Sequence, residues 1–219
     1  MGTATAKVFL PLAGKPLVVY CLRTLSEVRD LASIQLVVAA DQSDRASDVL
    51  EEHGPWAVPI HLAAGGAARQ DSVAAGLDAL DPATDLVIVH DAARPFVARA
   101  CVEACVEAAQ ATGAAIVALP ARDTVKLANS NGTIAQTLDR NSIWLAQTPQ
   151  IFRTALLREA IAQARRDGHT ATDDAALVER LGVTVHIVPG DPTNQKITTP
   201  DDMRWAEWYL RSGREGLAT

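Results

Sequence analysis

Aromatic side chains are scarce in this sequence, 4% of 219 residues, and so few rings cannot make the stacking platform that single-stranded nucleic acid requires. An excess of positive charge is missing too. Twenty Lys and Arg stand against 26 Asp and Glu, giving a net charge of −6 and a pI near 5.3, which argues against a nucleic-acid surface. Any anionic ligand must be held by local basic groups on an acidic background. No apolar run approaches the roughly 20 residues of a membrane span, and the first residues lack the charged and apolar regions of a signal peptide. A soluble, cytoplasmic protein is therefore expected. Only three cysteines occur, without the paired spacing of a zinc site, and the five histidines are scattered, so no structural metal bound by the protein is expected. Cys101 and Cys105 lie four apart on a helical pattern, share a face and should pack in the core. No Gly-x-Gly-x-x-Gly follows a strand, which disfavours a dinucleotide-dependent dehydrogenase. Internal repeats and low-complexity linkers are absent.

What remains is a chain that is 48% hydrophobic and long enough for one well-cored domain but not two. Residues 7–16 read as a turn-bearing segment punctuated by Gly14 and Pro16, and Pro16 suits the first turn of a helix over 16–27. Strands are expected at 34–40, 58–62, 86–89, 115–119 and 183–188. Helices are expected at 41–53, 71–80, 97–111, 154–166, 173–181 and 201–210. Asp71-Ser72 reads as the cap of the third helix, and Gly113 as the stop of the fourth. Strands alternating with helices of these lengths predict an α/β fold, a three-layer α/β/α sandwich with a mainly parallel sheet. Residues 122–148 break the alternation. They read as an extended arm with a hairpin tip at 129–132 and a returning strand at 133–138. An arm with so little apolar surface must lean on something, and a second subunit is the expected support.

Within this frame the stretch Leu86-Val-Ile-Val-His-Asp-Ala-Ala-Arg-Pro-Phe96 carries the chemistry. Four apolar residues suit a strand buried on both faces, and His90 and Asp91 follow at once. An imidazole and a carboxylate thus sit at the carboxyl end of a central strand, where open α/β sheets bind ligands.

Taken with Arg122-Asp123-Thr124, Asp139-Arg140, Thr148-Pro149-Gln150, Thr172-Asp173-Asp174-Ala175 and Lys196-Ile197-Thr198, in that order, this stretch resembles the 2-C-methyl-D-erythritol 4-phosphate cytidylyltransferases. The resemblance runs from Lys7 to Leu210. It implies a Rossmann-like sheet of the nucleotide-diphospho-sugar transferase type, a homodimer, Mg²⁺ held mainly by the CTP phosphates, and the joining of CTP to the polyol phosphate with release of pyrophosphate. By the same likeness Lys7 touches the triphosphate and Lys196 lies near the reacting phosphate, both as charge stabilisers. Gly66 and Ser72 enclose cytosine and ribose. Asp91, Arg94, Thr124, Arg140 and Thr172 form the acceptor pocket, with Thr124 and Arg140 reaching it from the neighbouring subunit's arm. The reaction needs no covalent nucleophile, only cations that hold two polyanions in line.

Plainer readings stand beside these. Lys7 and Lys15 can be solvated lysines, Arg140 an ion pair with Asp139, Thr172 a helix N-cap, and Trp144 arm packing. The sequence also departs from the family pattern. A glycine-rich loop of the form Ala-Ala-Gly-x-Gly-x-Arg, expected ahead of the lysine matched by Lys7, is not found in residues 1–6, which hold one glycine, Gly2. Ala67 replaces a frequently acidic residue. A late start of the reading frame or a shortened paralogue that binds without turnover would each account for this, and weak or no cytidylyltransferase activity and reduced stability are expected of the chain as written. Rival functions are a ribitol 5-phosphate cytidylyltransferase and a non-catalytic polyol-phosphate-binding protein.

Overall fold

The computed structural model describes residues 7–213; residues 1–6, with Gly2, lie outside them. From Lys7 the chain makes a 3-10 turn and then a tight hairpin of strands β1 (Pro11–Leu12) and β2 (Lys15–Pro16), before helix α1 (Leu17–Ser26). Leu12 pairs with Lys15, so the loop is the two residues Ala13 and Gly14, at φ 48° and 85°. Two successive positive φ values are what a twist-matched two-residue hairpin demands, and glycine meets the second without strain.

Strand β3 (Ile34–Val38), helix α2 (Ser43–Glu52), strand β4 (Ile60–Ala64), helix α3 (Arg69–Asp78), strand β5 (Leu86–Val89), helix α4 (Arg99–Thr112) and strand β6 (Ala114–Pro120) follow in strict alternation. The arm then carries β7 (Lys126–Ala128) and β8 (Ile134–Thr137), after which come the long β9 (Trp144–Arg153), α5 (Thr154–Arg166), α6 (Asp174–Glu179), β10 (His186–Pro189) and α7 (Pro200–Arg211). Helix α4 ends at Gly113, whose φ of 91° forms the left-handed cap. Helix α7 opens with Thr199 and Asp202 in a reciprocal capping box.

Strands β10, β6, β9 and β5 form one sheet in that order, and β3 pairs with β4. The pairs β10/β6 and β3/β4 are parallel. Strand β9 runs antiparallel between β5 and β6, with Gln150 opposite both Val89 and Ile116. The period of two sorts the core by face. Ile116 and Phe152 pack with Leu77, Leu157 and Leu177 from α3, α5 and α6. Their neighbours Ala115, Val117 and Ile151 pack with Cys105 and Ala109 of α4 on the other side. Helices therefore cover both faces, as the alternation of elements requires. Phe152 is fully buried, and burial of such a side chain contributes about 1.5–3 kcal/mol.

The structure shifts several expectations. Strand β9 was not anticipated, because Gln147, Thr148, Pro149 and Gln150 interrupt its apolar pattern; buried Gln147, Thr148 and Gln150 are instead absorbed by hydrogen bonds. Helix α3 starts at Arg69 with Ala68 as its N-cap, so Asp71 and Ser72 lie in the first turn and do not cap it. Helix α6 is capped by Asp173, whose carboxylate accepts from Ala176 N, so Thr172 is not the cap. Strand β4 begins at Ile60 rather than 58. Cys105 is buried as expected, whereas Cys101 is only half-buried, at the edge of the same cluster.

Candidate active site

Strand β5 delivers His90 and Asp91 to the carboxyl edge of the sheet, where the chain turns sharply. Arg94 N donates to Asp91 O at 2.9 Å. Phe96 then anchors the turn among the rings of Tyr20, Trp205 and Tyr209. From β9, the Thr148 hydroxyl oxygen accepts from Asp91 N at 2.9 Å and lies 3.2 Å from His90 Nδ1. His90 Nε2 lies 3.1 Å from Arg94 O. A carbonyl can only accept, so Nε2 carries the ring proton and Nδ1 accepts from Thr148. Burial pushes the imidazole down to about 4, and a neutral ring fits this relay. His90 thus holds the turn, with both ring nitrogens engaged in hydrogen bonds.

Asp91 is the charge centre. Lys196 Nζ lies 2.7 Å from its Oδ2, Arg69 Nε 3.6 Å from Oδ1 and Arg94 Nε 4.0 Å from Oδ2. Burial acts to raise this carboxyl, but the Lys196 bond, aided by Arg69 and Arg94, outweighs it and holds Asp91 below the usual carboxylate range. Arg69 also binds the fully buried Asp174 at 2.7 Å. Burial pushes Asp174 upward despite that partner. The first residue of α3 therefore links two carboxylates from β5 and α6.

The segment after β10 closes the site from the other side. Asn194 is buried and donates to Gln147 Oε1 at 3.1 Å and Thr148 O at 2.8 Å, while its own carbonyl accepts from Arg94 Nη1 at 2.7 Å. Ile197 N donates to Ala93 O at 2.8 Å, which seats Lys196 over Asp91. Gln150 donates to Asp173 at 2.8 Å and accepts from the backbone of Asp174 and Ala175. It fixes the start of α6, and Asp174 with it.

The expected site residues separate into two groups. Asp91, Arg94 and Lys196 converge, and Lys7 joins their rim by donating from Nζ to Thr198 O at 2.9 Å. Gly66 and Ser72 shape the loop that leads to Arg69. Gly66 N donates to Ser72 Oγ at 3.2 Å, which in turn donates to Ala68 O at 3.2 Å. A Cβ on Gly66 would lie 2.3 Å from Asp71 Cβ, so only glycine fits that approach. Thr172 is exposed just ahead of the α6 cap. Thr124 and Arg140 stay outside the cluster within one chain; Arg140 Nη1 donates to Arg122 O at 2.7 Å on the exposed arm. Arg94 was expected in the acceptor pocket; one of its nitrogens is taken by Asn194 O and its Nε has no hydrogen-bond partner among the described residues. Sequence reading missed Arg69, Asp174, Asn194 and Gln147. A charged residue opening a helix after Gly-Gly was the only available signal for Arg69.

The carboxylates of the site are already paired with cationic side chains. Among the described residues no three His, Cys, Asp or Glu side chains converge, and Asp91 and Asp174 are each matched to cations.

Comparison with known proteins gives consistent matches. The family described as 2-C-methyl-D-erythritol 4-phosphate cytidylyltransferase matches residues 1–212. The protein of that name from Pelotomaculum thermopropionicum is 44% identical over 219 residues, covering 100% of this chain and 92% of its own. Its counterpart from Syntrophus aciditrophicus is 42% identical over 211 residues, covering 96% and 90%. Among solved structures, 4-diphosphocytidyl-2C-methyl-D-erythritol synthase from Anaerococcus prevotii superposes with a TM-score of 0.88 at 30% identity, covering 96% of this chain and 92% of the other. The cytidylyltransferase from Thermus thermophilus superposes at 0.79 with 40% identity, covering 94% and 93%.

Proposed function

The chain belongs to the 2-C-methyl-D-erythritol 4-phosphate cytidylyltransferase family, and from that premise we propose that it joins CTP to 2-C-methyl-D-erythritol 4-phosphate, giving 4-CDP-2-C-methyl-D-erythritol and pyrophosphate. The observation that carries this reading is the 2.7 Å contact of Lys196 with Asp91 at the carboxyl edge of β5. Both reactants are polyanions, so the barrier is dominated by bringing like charges together. Lys7, Arg69, Arg94 and Lys196 surround that edge and supply the opposing charge.

An incoming phosphate competes with Asp91 for Lys196. As Lys196 turns to the phosphate, Asp91 gains a free oxygen that accepts hydrogen bonds from the hydroxyls of the polyol. The acceptor phosphate oxygen then forms a bond to the α-phosphorus of CTP. The bond to the bridging oxygen breaks on the opposite side, and its electron pair leaves with pyrophosphate. No proton need be removed, because the attacking oxygen is already anionic. Magnesium, when bound with CTP, neutralises triphosphate charge; the steps assigned to the protein are binding, alignment and charge stabilisation.

We place the reaction in a cytoplasmic homodimer. Leu127, Ile134 and Leu145 are 51%, 64% and 56% exposed on and beside the arm, and side chains of this kind favour a covered surface. Thr124 and Arg140 then serve the neighbouring subunit's acceptor pocket. Pyrophosphate release from CTP and 2-C-methyl-D-erythritol 4-phosphate tests the activity, with ribitol 5-phosphate in parallel. Release only with ribitol 5-phosphate, or with neither, overturns it.

A further inference from the structure

Beyond the turn at 91–96 lies a pocket of about 320 Å³ that the carboxyl-edge site does not use. None of Lys7, Arg69, Asp91, Arg94 and Lys196 lines it. Its size falls at the lower end of the range for small-molecule sites, about 300–1,000 Å³. Helix α1, the end of α7 and the first residue of α4 enclose it, around the rings of Tyr20, Phe96 and Tyr209.

The charge of its lining runs against that of the whole chain. The net charge is −6, yet Lys15, Arg23 and Arg99 share this lining with one carboxylate, Glu27. Arg23 is committed to the wall itself. Its Nη1 donates to Pro55 O at 2.7 Å, its Nη2 donates to His53 O, and its guanidinium lies 4.5 Å from the centre of the Trp56 ring. Lys15 and Arg99 are less constrained. Lys15 is exposed in β2, and Arg99, its side chain 44% exposed, meets Glu103 only in a 3.9 Å pair, a contact worth little in water. His53 also lines the pocket, and its Nε2 is buried with no hydrogen-bond partner among the described residues. Such a group is costly until something bonds to it. Buried rings beside two accessible cations suit one kind of guest, a small anion with a flat apolar body.

One wall of the pocket is Pro95 and Phe96, the end of the turn that carries Asp91 and Arg94. The Phe96 ring lies 6.1 Å from Tyr20 and 4.8 Å from Tyr209. A guest packed into this cluster restricts the ring, and the bond from Arg94 N to Asp91 O that closes the turn lies two residues away.

We propose that this pocket is a second ligand site, that it takes a small anion with a flat apolar body, and that occupancy stiffens the turn at 91–96. Such coupling is reciprocal, so a group bound at the carboxyl edge changes affinity in the pocket by the same factor. The assignment rests on the lining of the pocket and does not depend on the reaction.

The test titrates the full chain with anilinonaphthalene sulfonate, read by its fluorescence, and with phenylnaphthylamine, the same body without the charge. Lys15→Glu combined with Arg99→Gln should weaken the sulfonate roughly tenfold and leave the neutral analogue unchanged. Arg29→Glu, at the larger cleft beside β3 and β5, should leave both unchanged. With the sulfonate saturating, the Arg94 amide of the native chain should exchange roughly threefold or more slowly. Native affinity in the double variant, equal loss for both probes, or a loss caused by Arg29→Glu would overturn the site. Unchanged exchange at Arg94 would overturn its link to the turn. No substrate enters any of these measurements, so an absence of turnover cannot produce these outcomes.

Discussion

The carboxyl edge of β5 and the arm at residues 122–148 both carry residues that the family resemblance singles out, but the chain treats them differently. At the edge, Asp91, Lys196, Arg69 and Asn194 are held by partners from β9, α6 and the segment before α7. On the arm, Arg140 donates to Arg122 O within the same exposed segment, while Leu127 and Ile134 face outward. A single chain therefore specifies the first group completely and presents the second for something else to complete. Positioning by packing and positioning by assembly have different experimental signatures.

The sharpest break of that comparison uses two defective chains. Arg140→Ala and Lys196→Ala should each lower turnover by about 10²–10³-fold, the range for loss of one charge-stabilising group. Mixed and allowed to exchange subunits, they should regain roughly a quarter of native activity, because one site of each hetero-dimer keeps both groups. No recovery would mean that the arm serves its own chain.

Asn194→Ala comes next. It leaves Thr148 O and Gln147 Oε1 without their donor inside the fold, and a urea titration should show a loss of about 2 kcal/mol. The arm should show no comparable sensitivity in its polar groups.

His90 gives the pH arm of the comparison. Its folded value near 4 lies below the ordinary 6.5, so the unfolded chain takes up the proton first. The contribution of the neutral ring is complete above about pH 6.5 and is lost as pH falls towards about 4, on the order of 2 kcal/mol for a half-buried ring. Asp91, held low by Lys196, adds loss in the same direction at more acidic pH. Urea midpoints should fall across this window in the native chain, and His90→Gln should flatten the upper part. An unchanged slope would remove His90 from the relay.

Smallest in stability is Ile134→Asp on the arm, expected to change folding free energy by less than about 0.5 kcal/mol. The same substitution should shift sedimentation from dimer to monomer. A large loss of stability would show that the arm packs on its own domain.

Much of the fold was legible, because apolar runs such as 86–89 and 115–119 and the Gly113 stop depend on local pattern. Strand β9 was not, since its buried Gln147, Thr148 and Gln150 look like a loop until their long-range partners are known. The same gap hides part of the site. Asp91 and Lys196 stood out as charged residues in recognisable motifs. Asn194 and Gln147 act only through each other, 47 positions apart, and Arg69 gains its meaning from Asp174, 105 positions away. Asp71-Ser72 was read as a cap, and Thr172 offered as one in its plainer reading, because a hydroxyl near a helix start does not reveal which residue begins the helix.

The most direct test of the central claim is steady-state pyrophosphate release by Lys196→Ala beside the native chain, with matched circular dichroism and melting temperature. The account predicts a fall in kcat of about 10²–10³-fold with the fold intact. Native turnover in the substituted protein would contradict it.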